Sequence, residues 1–210
     1  MTVCKMVSVC LANIIKDCGI KMDRDLSSYV LVLENWLDKE NCKQTIREME
    51  NANWQQHVFY DVHTGTNNTR SGSKELDVAW GKNLSTQPYI MQRIWEAYKE
   101  YLTHLNFPWF DSWKGYSEVR FNMYKETRVM AEHCDHIHSM FDGERKGIPT
   151  MTFLAGLNDE YTGGELVMWG DEVIPMGEGT AVIFPSCFLY PHRVEPVTTG
   201  IRYSCVSWAW

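Results

Sequence analysis

The stretch HRVEPVTTGIRYSCVSW, from His192 to Trp208, reads as two strands joined by a turn. HRVEPV and RYSCVSW carry β-branched and apolar residues, and Gly200 punctuates the segment between them. Antiparallel neighbours joined in this way can bring His192 and Arg202, ten residues on, to one cavity. Working back toward Ser117, the texture stays the same. SEVRFNMY, RVMAEH, IPTMTFLAGLN, GELVMW, DEVIPM and TAVIFPS are short strand candidates separated by Gly, Pro, Asn and Asp, without a long helix between them. With FLYPHRVEPV and RYSCVSWAW they make eight, which predicts an all-β sandwich or jelly roll.

The first half differs. YVLVL (Tyr29 to Leu33) is apolar and β-branched enough for a strand, and Asp38 caps a mostly polar helix in DKENCKQTIREMEN. HVFYDV, from His57 to Val62, is a second short strand. The following HTGTNNTRSGSKELD is rich in Gly, Ser, Thr and Asn, has no apolar period, and reads as a mobile loop. Ser85, Thr86 and Pro88 then open a long helix to about Asn106, in which Ile90, Ile94, Trp95, Tyr98, Tyr101 and Leu102 form one apolar stripe. Helices first and strands after predict an α+β architecture with the helices against one face of the β-core. The expected division is an N-terminal arm over 1–25 and one domain over 26–210. Within it, 26–116 supply helical and strand support and a loop, and 117–210 the jelly-roll core.

Composition narrows the partners. The chain has 20 Lys+Arg against 27 Asp+Glu, a net charge of -7, so it lacks the basic surface that nucleic acid requires. Seven cysteines without a CxxC pair argue against zinc knuckles and disulfide scaffolds, and Cys187 and Cys205 lie in apolar, strand-like runs that fit a reducing cytoplasm. The apolar run from Met6 to Ile15 is short for a signal peptide, and nothing approaches the roughly 20 apolar residues that span a bilayer. The expectation is a cytoplasmic protein, a monomer or weak homodimer, acting away from membranes and nucleic acid.

The densest group of metal-ligand side chains is HCDHIH, His133 to His138. In extended backbone, positions two apart share a side, so His133 with Asp135 could meet one ion, and so could His136 with His138. Spacing does not choose between these pairs. Of the remaining histidines only His192 lies in the β-half, which makes it the candidate third ligand. Two histidines and a carboxylate on one face of an octahedral ion leave three adjacent positions open, as in non-haem ferrous oxygenases. A planar guanidinium such as that of Arg202 matches a carboxylate with two parallel hydrogen bonds, and Ser204, on the same strand face, could add a hydroxyl.

The β-half resembles the prolyl 4-hydroxylase-like branch of the 2-oxoglutarate and iron(II)-dependent oxygenases, whose fold is a distorted double-stranded β-helix. The resemblance runs through Tyr124, nine residues before His133, then His133-x-Asp135, EYTGGEL (Glu160 to Leu166), and His192 with Arg202 and Trp208. It covers 117–210, and HIHSMFDG with FPSCFLYPHRV is also similar to small single-domain members from phages of marine cyanobacteria. The resemblance implies that His133, Asp135 and His192 bind Fe(II) and carry catalysis, and that Arg202 binds the distal carboxylate of 2-oxoglutarate. Tyr124 and Trp208 would line the same pocket. It further implies O2 as second co-substrate, ascorbate as an accessory, and hydroxylation of a prolyl residue in a protein or peptide as 2-oxoglutarate is decarboxylated to succinate. Collagen-type prolyl hydroxylases usually have lysine where Arg202 stands, whereas lysyl hydroxylases and many bacterial members have arginine. A lysyl or small-molecule substrate therefore stays open, as does a non-catalytic jelly-roll binding module. His136 and His138 read as neighbours that orient the ligands, Asp142 and Glu144 as solvated loop charges, and the loop from His63 to Asp77 as a lid over substrate.

Overall fold

The computed structural model describes residues 25–61, 64–110, 114–135 and 149–210. His136, His138, Asp142 and Glu144, the start of the expected lid and nearly all of the N-terminal arm lie outside these residues. A 3-10 turn, Leu26–Tyr29, leads into β1 (Leu31–Leu33), helix α1 (Lys39–Met49), β2 (Gln55–Gln56), β3 (Phe59–Asp61), β4 (Thr66–Asn68), a second 3-10 turn (Gly72–Lys74) and β5 (Asp77–Trp80). Helix α2 (Gln87–Leu105) follows. After it come β6 (Arg120–Tyr124), β7 (Met130–His133), β8 (Met151–Gly156), β9 (Tyr161–Gly163), β10 (Leu166–Met168) and β11 (Glu172–Ile174), then β12 (Ala181–Pro185), β13 (His192–Val194), β14 (Val197–Gly200) and β15 (Arg202–Ala209).

Two antiparallel sheets face each other as a jelly roll, the double-stranded β-helix. The larger runs β1-β12-β8-β15-β6-β5-β2 and the smaller β11-β10-β13-β7. The large sheet is covered on both faces, which explains why its central strands read as unbroken apolar runs rather than as alternation. On β12, Ala181 and Ile183 join the helix-side core while Val182 and Phe184 join the core between the sheets. β8 divides the same way, with Phe153 and Ala155 on the helix side and Leu154 between the sheets, and so does β15, with Cys205 against Val206 and Trp208.

Each helix begins and ends for a local reason. Asp38 caps α1 by accepting from the Asn41 N–H at 2.9 Å. Thr86 makes no side-chain cap of its own; Glu48, near the end of α1, accepts instead from the Thr86 N–H and hydroxyl and from the Ser85 hydroxyl, tying the start of α2 to α1. Asn106 closes α2 in the left-handed conformation, φ 48°, with its N–H returned to the Leu102 carbonyl. The buried stripe Ile90, Ile94, Ala97, Tyr98 and Tyr101 packs α2 on the outer face of the large sheet, where Phe153 receives Tyr98 and Trp36 edge-on.

Three expectations need correction. The segment to Asp77 is not a structureless loop: among its described residues, β4 pairs with β3 and a 3-10 turn leads into β5. β4, Thr66 to Asn68, is a polar strand held by backbone pairing, so side-chain periodicity does not mark it. Among the described residues from 117 onward there are ten strands rather than eight, because EYTGGEL and EPVTTG form a small ladder, β9 with β14. Cys187 sits half-buried in a bend after β12 rather than in a strand, whereas Cys205 is buried in β15.

Candidate metal centre and its cavity

One register decides the geometry of the centre. β13 pairs with β7 so that His192 stands directly opposite His133, while two residues on, Val194 stands opposite Met130. β7 therefore carries one extra residue, a bulge of the kind that re-aims a side chain, and the two imidazole rings meet with centroids 4.3 Å apart. Asp135 follows just past the end of β7. Its Oδ1 lies 3.3 Å from His133 Nε2 and its Oδ2 3.8 Å from His192 Nε2. One ligand atom from each of the three falls within 4.8 Å of the others, and all three side chains are buried.

The surrounding bonds set which atoms are free to bind. His133 Nδ1 lies 2.8 Å from the Ala131 carbonyl and His192 Nδ1 3.1 Å from the Tyr190 carbonyl. A carbonyl only accepts, so both Nδ1 atoms carry protons and each neutral ring presents an Nε2 lone pair to the centre. Asp135 is fixed by Thr152, which donates to Oδ2 at 2.8 Å and accepts in turn from Ser186 at 2.7 Å. Burial opposes its charge, yet His192, His133 and Thr152 hold the carboxyl below the usual carboxylate range. Burial, followed by the neighbouring His133, pushes His192 down to about 4. A neutral imidazole lone pair thus faces an ionised carboxylate in a dry site. That arrangement of acceptors is satisfied by a cation, so the residues fit a metal ion.

The cavity beside the triad is floored by two neighbouring strands of the large sheet. Tyr124 pairs with Arg202, Asn122 with Ser204, and Arg120 with Val206, and these alternate positions face inward with Trp208 beyond them. Leu154, Leu166 and Val194 complete an apolar wall. Arg202 is only 1% exposed, donates to Ser204 Oγ at 3.1 Å and stands 4.8 Å over the Tyr124 ring, while its Nε has no hydrogen-bond partner among the described residues. A buried guanidinium without a carboxylate is unfavourable by several kcal/mol on general grounds, so the cavity is built for an anion at this end.

Of the seven site residues expected from the sequence, His133, Asp135, His192, Tyr124 and Trp208 line this cavity, while Arg202 and Ser204 bond each other on β15, with Arg202 over the ring of Tyr124. Three contributors escaped that reading. Arg120 and Asn122 share the phase of Tyr124, and a strict period of two along SEVRFNMY would have found them. Gly164, within EYTGGEL, has φ +70°, and a Cβ there would stand 2.9 Å from Arg202 Cδ.

Comparison with known proteins agrees with this geometry. The model of the 2OG-Fe(II) oxygenase superfamily matches residues 119–210. A PKHD-type hydroxylase of Delftia acidovorans is 33% identical over 96 residues, 42% of this chain and 41% of that protein. The chain thus spans about two fifths of the length of the curated relatives it matches. Among solved structures, a viral collagen prolyl hydroxylase from Paramecium Bursaria Chlorella virus-1 superposes with a TM-score of 0.61 at 17% identity, covering 86% of this chain and 94% of that one. A Trichoplax adhaerens prolyl hydroxylase in complex with a hypoxia inducible factor peptide fragment gives 0.64 at 16% identity, covering 87% and 84%. These structures share the fold, and residues 119–210 carry the sequence resemblance to the 2OG-Fe(II) oxygenases.

Proposed function

We propose that the chain is an Fe(II)- and 2-oxoglutarate-dependent dioxygenase that hydroxylates a prolyl residue of a protein or peptide. The observation that carries this reading is the presence, in one cavity, of three converging metal-ligand side chains and a buried guanidinium without a carboxylate partner among the described residues. His133 and His192 would offer Nε2 and Asp135 a carboxylate oxygen, a set that leaves adjacent positions of an octahedral ion open. When bound, iron and the oxoacid supply the activation of dioxygen for attack on a C–H bond, with release of succinate and carbon dioxide.

The chain's own residues bind, orient and keep the cavity dry. Arg202 and Ser204 are placed to hold the distal carboxylate of the oxoacid through charge-assisted hydrogen bonds. The carbonyls of Ala131 and Tyr190 keep the two histidines in the tautomer that binds a cation, and Thr152 aims Asp135. Leu154, Leu166, Val194 and Val206 exclude water. A peptide substrate is supported by the Trichoplax neighbour, which is in complex with a peptide fragment. Arg202, in place of lysine, is the observation that favours a lysyl residue as the second reading.

Anaerobic titration with ferrous iron and then 2-oxoglutarate tests the first part. A weak visible absorption band is expected when both are present, and a well-folded protein without it overturns the oxygenase reading. Aerobic incubation with prolyl and lysyl peptide libraries tests the second. Gain of one oxygen atom on prolyl peptides supports the reading, and gain confined to lysyl peptides replaces it.

A further inference from the structure

The cavity holds a second guanidinium that the oxoacid does not use. Arg120 lies on the inward face of β6, opposite Val206, whereas Arg202 lies opposite Tyr124. Four residues of strand separate these positions along the floor, about 13 Å at the usual rise per residue. The two cations therefore rise from opposite ends of the strand pair that floors the cavity. Arg120 sits 4.9 Å over the ring of Trp208, and its Nε donates to Asn122 Oδ1 at 3.2 Å. Among the described residues no carboxylate pairs with it. Glu118 and Asp77, its acidic neighbours on β5, β6 and their approach, are turned to Lys82 and Lys125, and Asp135 is held by the histidines and Thr152.

One more donor at this end lacks an acceptor. Trp208, 2% exposed, has no partner for its Nε1–H among the described residues. Buried polar atoms are almost always hydrogen-bonded, so an unmatched indole donor beside a guanidinium with no paired carboxylate describes the place of an acceptor with negative charge. A planar guanidinium beside an indole N–H suits a flat anion that accepts at two oxygens.

We propose that this end of the cavity recognises a carboxylate on the primary substrate, with Arg120 as the specificity-determining residue and Trp208 Nε1 as a second donor. This rests on the oxygenase reading, in which Arg202 already holds the co-substrate. The substrate carboxylate has two sources, an acidic side chain flanking the hydroxylated residue or a free α-carboxylate, and matched probes distinguish them.

The test uses the whole chain loaded anaerobically with Fe(II) and 2-oxoglutarate, then admitted to oxygen. The probes are prolyl and lysyl peptides with Glu or Gln beside the target, the same peptides as C-terminal acids or amides, and L-proline against L-prolinamide. Each is read by its change in the visible band and by the KM and kcat for oxygen gained. Acid members of one pair are expected to show KM at least about tenfold below their amides, and Arg120→Met should raise KM for that acid arm by a similar factor while affecting its amide much less. Arg120→Lys should recover part of the loss. Equal use of acids and amides by the wild type, or an equal loss on both in Arg120→Met, overturns the assignment. A panel in which no probe perturbs the band or gains oxygen overturns it too. The band itself, present in the wild type, keeps the oxygenase reading separate from that failure.

Discussion

Gly164 leaves the space that Arg202 occupies. A Cβ at residue 164 would stand 2.9 Å from Arg202 Cδ and 3.0 Å from Val197 Cγ2, and the backbone there has φ +70°, where any L side chain is strained. Gly164→Ala is therefore expected to lower Tm by a few degrees, from about 1 kcal/mol of backbone strain, and to displace the guanidinium. Isothermal titration with 2-oxoglutarate should show a several-fold weaker Kd. Unchanged affinity with lowered Tm would mean that Arg202 tolerates the shift.

Arg202 itself gives a larger effect. Removing one partner of a buried charge pair costs about 2 to 5 kcal/mol, so Arg202→Ala should weaken 2-oxoglutarate by at least about thirtyfold in an anaerobic titration while ferrous iron still binds. Asp135→Ala should reverse the pattern, abolishing iron-dependent turnover in a folded protein. Turnover that survives Asp135→Ala would remove it from the ligand set.

Thr152 touches the triad only through Asp135. Thr152→Val keeps the shape and deletes the 2.8 Å bond to Oδ2 along with the link to Ser186. Loss of such an orienting bond costs about 10- to 100-fold in metal affinity, which a competitive chelator titration will read. An iron affinity equal to the wild type would show that the histidines alone aim the carboxylate.

Glu48 supplies a pH-dependent contribution to stability. Burial is the largest single influence and raises its pKa, but the bonds from Gln44, Ser85 and Thr86 together outweigh it and hold the carboxyl at about 2, against an ordinary 4.5. A group depressed on folding stabilises above its unfolded pKa and loses that contribution as pH falls toward the folded one. The Tm difference between wild type and Glu48→Gln should thus be greatest near neutrality and shrink between about pH 4.5 and pH 2. A difference constant across that range would assign the helix tie to shape rather than charge.

Much of this was legible in the residues because burial writes itself into periodicity. Ile90, Ile94, Tyr98 and Tyr101 announce the packed face of α2, whereas the choice of Tyr124, His133, Asp135, His192 and Arg202 comes from their resemblance to the oxygenase pattern and not from spacing alone. Short polar strands do not announce themselves. β4, with Thr66, Asn67 and Asn68 all exposed, is held by its backbone ladder to β3, and β9 meets β14 through residues some 36 positions apart. Arg120 was overlooked for a different reason: a lone arginine in a strand looks like a surface charge until the strand's other face is known to be covered.

The position of β15 has a consequence for how the protein is made. Of the fifteen described strands it is the last to be synthesised, yet it lies between β8 and β6 in the large sheet and carries Arg202, Ser204, Val206 and Trp208. Until it emerges, β8 and β6 each wait with an open edge, exposed to chaperones and to neighbouring nascent chains. Closure of the cavity floor is thus coupled to completion of the sheet, so an emerging polypeptide that stalls before Arg202 presents His133 without the strand that carries the buried guanidinium.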